Sequence, residues 1–149
     1  MPVDVLTEAV INRPLAVVAD YAMDPSNAPE WYANISSVDW ETKPPLAVGS
    51  RLRFVAQFLG RRLAYTYEVV ALEPRERLVM RTTQGPFPME TTYVFTAEGD
   101  RTRMTLRNRG EPSGFASVAA PVMARAMRRA NAKDLANLNR VLLDVGGRP

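Results

Sequence analysis

The sequence predicts an α+β fold: a curved antiparallel sheet of about seven strands wrapped around one long C-terminal helix. Three observations predict it. Between Ile35 and Gly110, apolar residues recur at every second position in short runs parted by turn residues. From about Phe115 to Leu143 the spacing changes to that of an α-helix. The turns between the strand runs are too short to hold crossover helices, so neighbouring strands must run antiparallel.

The first strand runs from Val3 to Ile11, with Val3, Val5, Thr7, Ala9 and Ile11 on one face. Asn12-Arg13-Pro14 ends it. Pro14 suits the first turn of a helix because it has no N–H to lose there, and Leu15, Val18 and Ala22 follow at helical spacing. Asp24-Pro25 repeats the device, with Asp24 as the N-cap of a second short helix reaching Trp31 or Tyr32.

Six more strands follow. Ile35 to Thr42 is broken off by Pro44-Pro45 and Gly49. Arg51 to Leu59 puts Leu52, Phe54, Ala56 and Phe58 together, and Gly60-Arg61 turns the chain. Leu63 to Leu72 aligns Leu63, Tyr65, Tyr67 and Val69 before the turn Glu73-Pro74-Arg75-Glu76. Leu78 to Thr83 is short, and Gly85-Pro86-Phe87-Pro88 interrupts it. Met89, Thr91, Tyr93 and Phe95 share a face. Glu98-Gly99-Asp100 is a hairpin signal, and Thr102, Met104, Leu106 and Asn108 complete the series.

On the long helix, Met123, Met127, Asn131, Leu135, Leu138 and Leu142 form one buried stripe flanked by Val122, Ala126 and Ala130. Arg125, Arg128, Arg129, Lys133 and Arg140 lie off it. Pro121 is expected to kink the helix or delay its regular start, and Gly146-Gly147 to end it. No repeat or linker divides the chain, so residues 1–149 are read as one domain.

Composition narrows the chemistry. The chain has no cysteine and no histidine. That excludes disulfides, thiolate nucleophiles, a Ser-His-Asp triad and His-based metal sites; no metal and no cofactor is expected. Net charge is +3, and Arg101, Arg103, Arg107 and Arg109 cluster, as do Arg125, Arg128, Arg129 and Lys133. No Gly-rich phosphate loop or aromatic RNA-binding signature accompanies them. They are read as solvated faces, and no nucleic acid is expected as a partner. No apolar run approaches the roughly 20 residues that span a bilayer, and the N-terminal residues do not form a secretory signal. A cytoplasmic protein is expected, monomeric or homodimeric, without stable membrane insertion.

A single helix is only about 10 Å wide with its side chains, and a seven-stranded sheet is much wider. Space between them must be filled by large side chains or left open. The facing residues are Trp31, Phe54, Phe58, Tyr65, Tyr67, Met89, Thr91, Tyr93 and Phe95, met by Val122, Met123 and Met127 on the helix, whose first half (Ala116, Val118, Ala119, Ala120) is small. Composition leaves two readings open, a solid core and a ligand pocket, because both are mostly apolar with a few polar groups. By strand parity Glu68 and Glu90 face away from this lining; a one-residue slip would turn them inward. Trp31 and Tyr32 read either as a gate or as a cap on the core, and Phe87 as a rim residue.

Several phrases carry a resemblance. "INRPLAVVADYAMDPSNAPEW" (Ile11 to Trp31) resembles a proline-started helix followed by an Asp, Pro, Trp segment. "VGSRLRF" (Val48 to Phe54), "YTYEVVALEPRERLVMRT" (Tyr65 to Thr82) and "TRMTL" (Thr102 to Leu106) resemble strand units of the same family. With the element order β-α-α-β6-α, the chain resembles the helix-grip superfamily of START domains, Bet v 1-like proteins and polyketide cyclases, in its polyketide cyclase/dehydrase-like branch. The resemblance implies a deep cavity that binds, transports or sequesters a hydrophobic small molecule such as a lipid or polyketide. It equally implies an alternative: an aromatase/cyclase or dehydratase using tyrosine, arginine or carboxylate groups in that cavity. No fixed motif transfers catalytic residues by position.

Overall fold

The computed structural model describes residues 3–58, 60–85, 87–111 and 120–146, apart from the side chains at 58, 120 and 144–146. The strands are β1 (Val3–Ile11), β2 (Ile35–Trp40), β3 (Arg51–Phe58), β4 (Arg61–Glu73), β5 (Arg77–Gln84), β6 (Met89–Glu98) and β7 (Arg101–Gly110). They form one sheet in the order β1-β7-β6-β5-β4-β3-β2, with every neighbouring pair antiparallel. From β2 to β7 this is a meander of hairpins. β1 then pairs with β7, so the first and second strands occupy opposite edges. The chain between them must therefore cross the sheet, and it does so through α1 (Leu15–Ala22), a 3-10 turn (Pro25–Asn27) and α2 (Ala28–Trp31). The long helix is α3 (Ala120–Gly146). The α+β helix-grip architecture expected from the sequence is the one observed.

Local chemistry accounts for the boundaries. Asp24 caps as expected, its Oδ1 accepting the Ser26 N–H at 3.0 Å. The single helix expected from Asp24 is split, however, because Pro29 sits where a continuous helix would need another N–H. At the β3–β4 and β6–β7 turns Gly60 and Gly99 take φ of 77° and 63°, values glycine reaches without strain. β4 carries a register shift between Val69 and Ala71. This bulge restores Leu72 to the inner face, which simple alternation would have turned outward. The expected helix start at Phe115 and the final Gly147 lie outside the described residues.

The inner face of the sheet and the apolar stripe of α3 bury two clusters rather than one. The larger joins Ile11, Val18, Trp31, Leu52, Leu78 and Leu106 to Leu135, Leu138 and Leu142 of α3. Each fully buried leucine adds about 1.5–3 kcal/mol. The smaller joins Val3, Val5, Phe87 and Met89 to Met123 and Met127, one helix half earlier. On the outer face, Arg107 pairs with Asp4 at 2.6 Å, and Arg103 pairs with Glu8 and, at 2.6 Å, with Glu98. Half of the arginine cluster on β7 is thus tied to carboxylates of β1 and β6. Among the described residues no helix is long and apolar enough to cross a membrane.

Candidate functional site

Between the two clusters lies a cavity of about 170 Å³. β3 contributes Phe54, β4 Tyr65 and Tyr67, β6 Met89, Thr91 and Tyr93, and α3 Met123 and Met127. The structure therefore brings together most of the lining expected from strand parity. Gly85 explains part of the geometry. A Cβ there would come within 2.5 Å of Tyr65 Cδ1, so the missing side chain leaves room for the tyrosine ring.

Three expected lining residues lie elsewhere. Trp31 is fully buried but sits behind the wall, 4.0 Å from the Tyr32 ring centroid and 5.9 Å from that of Tyr93. It caps the solid cluster, and Tyr32 takes the place at the cavity. Phe95, beyond Tyr93 on the same face of β6, packs into that same cluster. Val122 is 64% exposed. It precedes Met123 by one residue, a rotation of about 100° on a helix, which turns it off the buried stripe. The Phe58 side chain and residues 116, 118 and 119 are outside the described set. Ala126 lines a shallower depression beside the cavity.

The polar wall was the harder part to foresee. Asn34, Asn108, Asn131 and Asp134 all reach the cavity, and the buried Phe87 also lines it. Asp134 is only 2% exposed. Its Oδ1 accepts the Ala33 N–H at 2.9 Å, so α3 holds the α2–β2 loop with a carboxylate. Asn137 adds a second tie, its Nδ2 donating to the Trp31 carbonyl at 3.0 Å. A signal existed: Asp134 lies three residues after Asn131, hence on the same side of the helix. Its charge alone argued for the solvent.

Hydroxyls pair within the wall. Tyr32 and Tyr93 share a hydrogen bond at 2.6 Å, and Thr91 Oγ1 donates to Asn108 Oδ1 at 2.9 Å. Tyr67 meets the Thr91 hydroxyl. Burial raises the pKa of Tyr32, Tyr65, Tyr67 and Tyr93, so all four are neutral at physiological pH. Burial also pushes Asp134 up to about 6, against the Ala33 N–H and the Lys133 charge, which favour the carboxylate. Asp134 is the only carboxylate at the cavity wall among the described residues. An acid poised near neutrality, beside neutral phenols, can accept or hold a proton.

Glu68 and Glu90 stand on the outer face, as strand parity indicates. Both lie in register with Arg81, and Glu90 pairs with it at 2.9 Å. Among the described residues no three carboxylates converge to hold a metal ion. The shallower depression shares Asn34, Ala130 and Asp134 with the cavity and adds Arg129 and Lys133. Asp134 thus lies where the interior approaches a basic rim.

The family model for polyketide cyclase / dehydrase and lipid transport proteins matches residues 2–143. No curated protein sequence matches the chain. Among solved structures, the fold is similar to a START superfamily protein from Mycobacterium smegmatis, with TM-score 0.83 at 14% identity, covering 95% of this chain and 98% of that one. It is also similar to the Zhui aromatase/cyclase from Streptomyces sp. R1128, with TM-score 0.80 at 14% identity, covering 96% and 94%. Major latex-like protein 151 from Panax ginseng gives TM-score 0.74 at 16% identity, covering 99% of each chain. At these identities the likeness is one of fold.

Proposed function

Because the chain belongs to the polyketide cyclase / dehydrase and lipid transport family, we propose that residues 1–149 act as one domain that binds a hydrophobic small molecule between α3 and the sheet. The observation that carries this reading is the cavity itself: about 170 Å³, walled by aromatic and methionine side chains with a few polar groups. A dry apolar cavity of about 150 Å³ is large enough for benzene. Typical ligand pockets run from about 300 to 1,000 Å³. The space at hand therefore fits one ring, and a lipid chain or multi-ring polyketide needs the wall to move, as the flexible thioethers of Met123 and Met127 can. Displacement of an environment-sensitive dye, with native mass spectrometry of the purified protein, tests the reading. Binding is expected in the wild type and lost in Ala130→Phe, which fills the cavity. Absence of any binding, or binding unchanged in a folded Ala130→Phe, overturns it.

Asp134 favours a second reading, aromatase/cyclase or dehydratase chemistry. Its carboxylate would take the proton from the carbon between a carbonyl and a hydroxyl-bearing carbon and return it to the departing hydroxyl, which leaves as water. Of neutral Tyr32 and Tyr93, the one that accepts within their shared hydrogen bond keeps its proton and would donate it to the carbonyl oxygen. General-base contributions of this kind are worth about 10²–10⁴ in rate. Dehydration of a β-hydroxy ketone at saturating substrate, followed by ultraviolet absorbance, should then fall by about 10² or more in Asp134→Asn. Equal rates in the two proteins refute it.

A further inference from the structure

Asn131 interrupts the apolar stripe of α3 between Met127 and Leu135. It is 6% exposed and stands at the cavity wall. Its Nδ2 meets no acceptor among the described residues. The other buried polar atoms in that condition, on Thr7, Arg13 and Trp31, belong to residues away from the cavity. An unpaired buried amide costs free energy that a leucine of similar size would not, so the position is costly unless something completes it. The terminal amide turns about a soft torsion, which lets it present its donor to a guest.

What must complete it is constrained by its neighbour. Asp134 follows one helical turn later, close enough for both side chains to touch one atom between them. The Ala33 N–H occupies Asp134 Oδ1, which leaves Oδ2 as an acceptor on a residue that lines the same space. Tyr32 and Tyr93 share one hydrogen bond, so only one of their two protons remains to be donated to a guest. A guest carboxylate is disfavoured, because it would bring a like charge against Asp134. A hydroxyl fits both demands, since its oxygen accepts from Asn131 and its proton is donated to Asp134. A space of about 170 Å³ among the described residues accommodates a body of about one ring on that hydroxyl.

We infer that the cavity selects a neutral single-ring hydroxyl compound of the phenol class, held between Asn131 Nδ2 and the Asp134 carboxylate. This rests on the binding reading above and names its ligand class. p-Cresol and p-xylene test it, because they differ by one hydroxyl in place of one methyl. Association constants for both are measured by ligand-observed NMR on wild type, Asn131→Leu and Asp134→Asn. The p-cresol to p-xylene ratio is expected to fall about tenfold in Asn131→Leu and in Asp134→Asn, with p-xylene binding retained in both. Asp134→Asn keeps an oxygen for the Ala33 N–H, so it reports on the hydroxyl rather than on the loop. An unchanged ratio in either folded variant overturns the inference while p-xylene binding leaves the cavity reading intact. If neither compound binds the wild type, the cavity reading fails and the inference falls with it.

Discussion

Asp134→Asn separates the electrostatic cost of the buried acid from its structural role. The asparagine keeps the Ala33 N–H satisfied and removes only the ionisation. The carboxyl titrates at 3.8 in the open chain and at about 6 in the fold, where burial disfavours the charge. The difference of about 2.2 units, at about 1.4 kcal/mol per unit, sets an upper value of about 3 kcal/mol. The carboxylate lies near a rim that water reaches, so roughly 1–3 kcal/mol is the expected range. The sign follows from proton uptake. Between pH 4 and 6 the folded chain holds a proton that the unfolded chain has released, so stability falls as pH rises through this window. Above pH 6 the loss is complete. Asparagine cannot ionise and escapes it. Urea unfolding at pH 4, 5, 6, 7 and 8 should therefore give superimposed midpoints at pH 4 and a gap that opens to roughly 1–3 kcal/mol in favour of Asp134→Asn by pH 7. Other titrating groups are common to both proteins and cancel in the difference. Parallel curves across the range, or a variant less stable at pH 7, would refute the reasoning.

Three further outcomes follow from the packing. Asn131→Leu, which removes an unpaired buried amide, should raise the thermal midpoint, equivalent to about 1 kcal/mol, with no ligand present. Leu138→Ala should cost about 2–5 kcal/mol in chemical unfolding because the side chain is wholly buried, whereas Val122→Ser, at an exposed position, should stay within about 0.5 kcal/mol. Tyr32→Phe and Tyr93→Phe should each cost about 0.5–1.5 kcal/mol, and the double variant should cost scarcely more than either alone, because one shared hydrogen bond is lost only once.

Most of the fold was legible because strands and helices write different periods into the chain. Tyr65 and Tyr67, or Met89, Thr91 and Tyr93, share a face by parity, and pairing with flanking strands preserves it. Parity states which face a residue takes but not how deep along the sheet it lies. That is why Phe95, correctly placed on the inner face, proved to belong to the solid cluster and not to the cavity. Trp31 and Tyr32 show the same limit: adjacent residues at the end of a short helix exchange roles with a small rotation, and no periodicity fixes it. The bulge in β4 and the division of the second helix at Pro29 are local departures, of which only the proline is visible in advance. Asp134 was missed for a different reason. Charge is the best single indicator of exposure, and the indicator fails where a backbone N–H from a distant loop supplies the compensation. Ala33 and Asp134 are 101 residues apart, so the pairing is a property of the fold.

The same helix presents two unlike ends to the cavity, and this orders the space within it. Towards the C-terminus, α3 offers Asn131 and Asp134 and then the closely packed Leu135, Leu138 and Leu142. Leucines in a filled core resist displacement, because every void they open costs free energy in proportion to its volume. Towards the N-terminus it offers Met127 and Met123 against Phe87 and Met89. Unbranched thioethers change rotamer at small cost, so this end yields first. A guest larger than one ring must therefore grow towards the methionines, leaving its polar group at Asn131 and Asp134. Substitutions should divide accordingly: Met127→Leu, which stiffens the yielding end, should weaken binding of two-ring guests more than one-ring guests by competition dye displacement. Asn131→Leu should change hydroxyl preference at either size. Equal losses for both guest sizes in Met127→Leu would show that the cavity widens elsewhere.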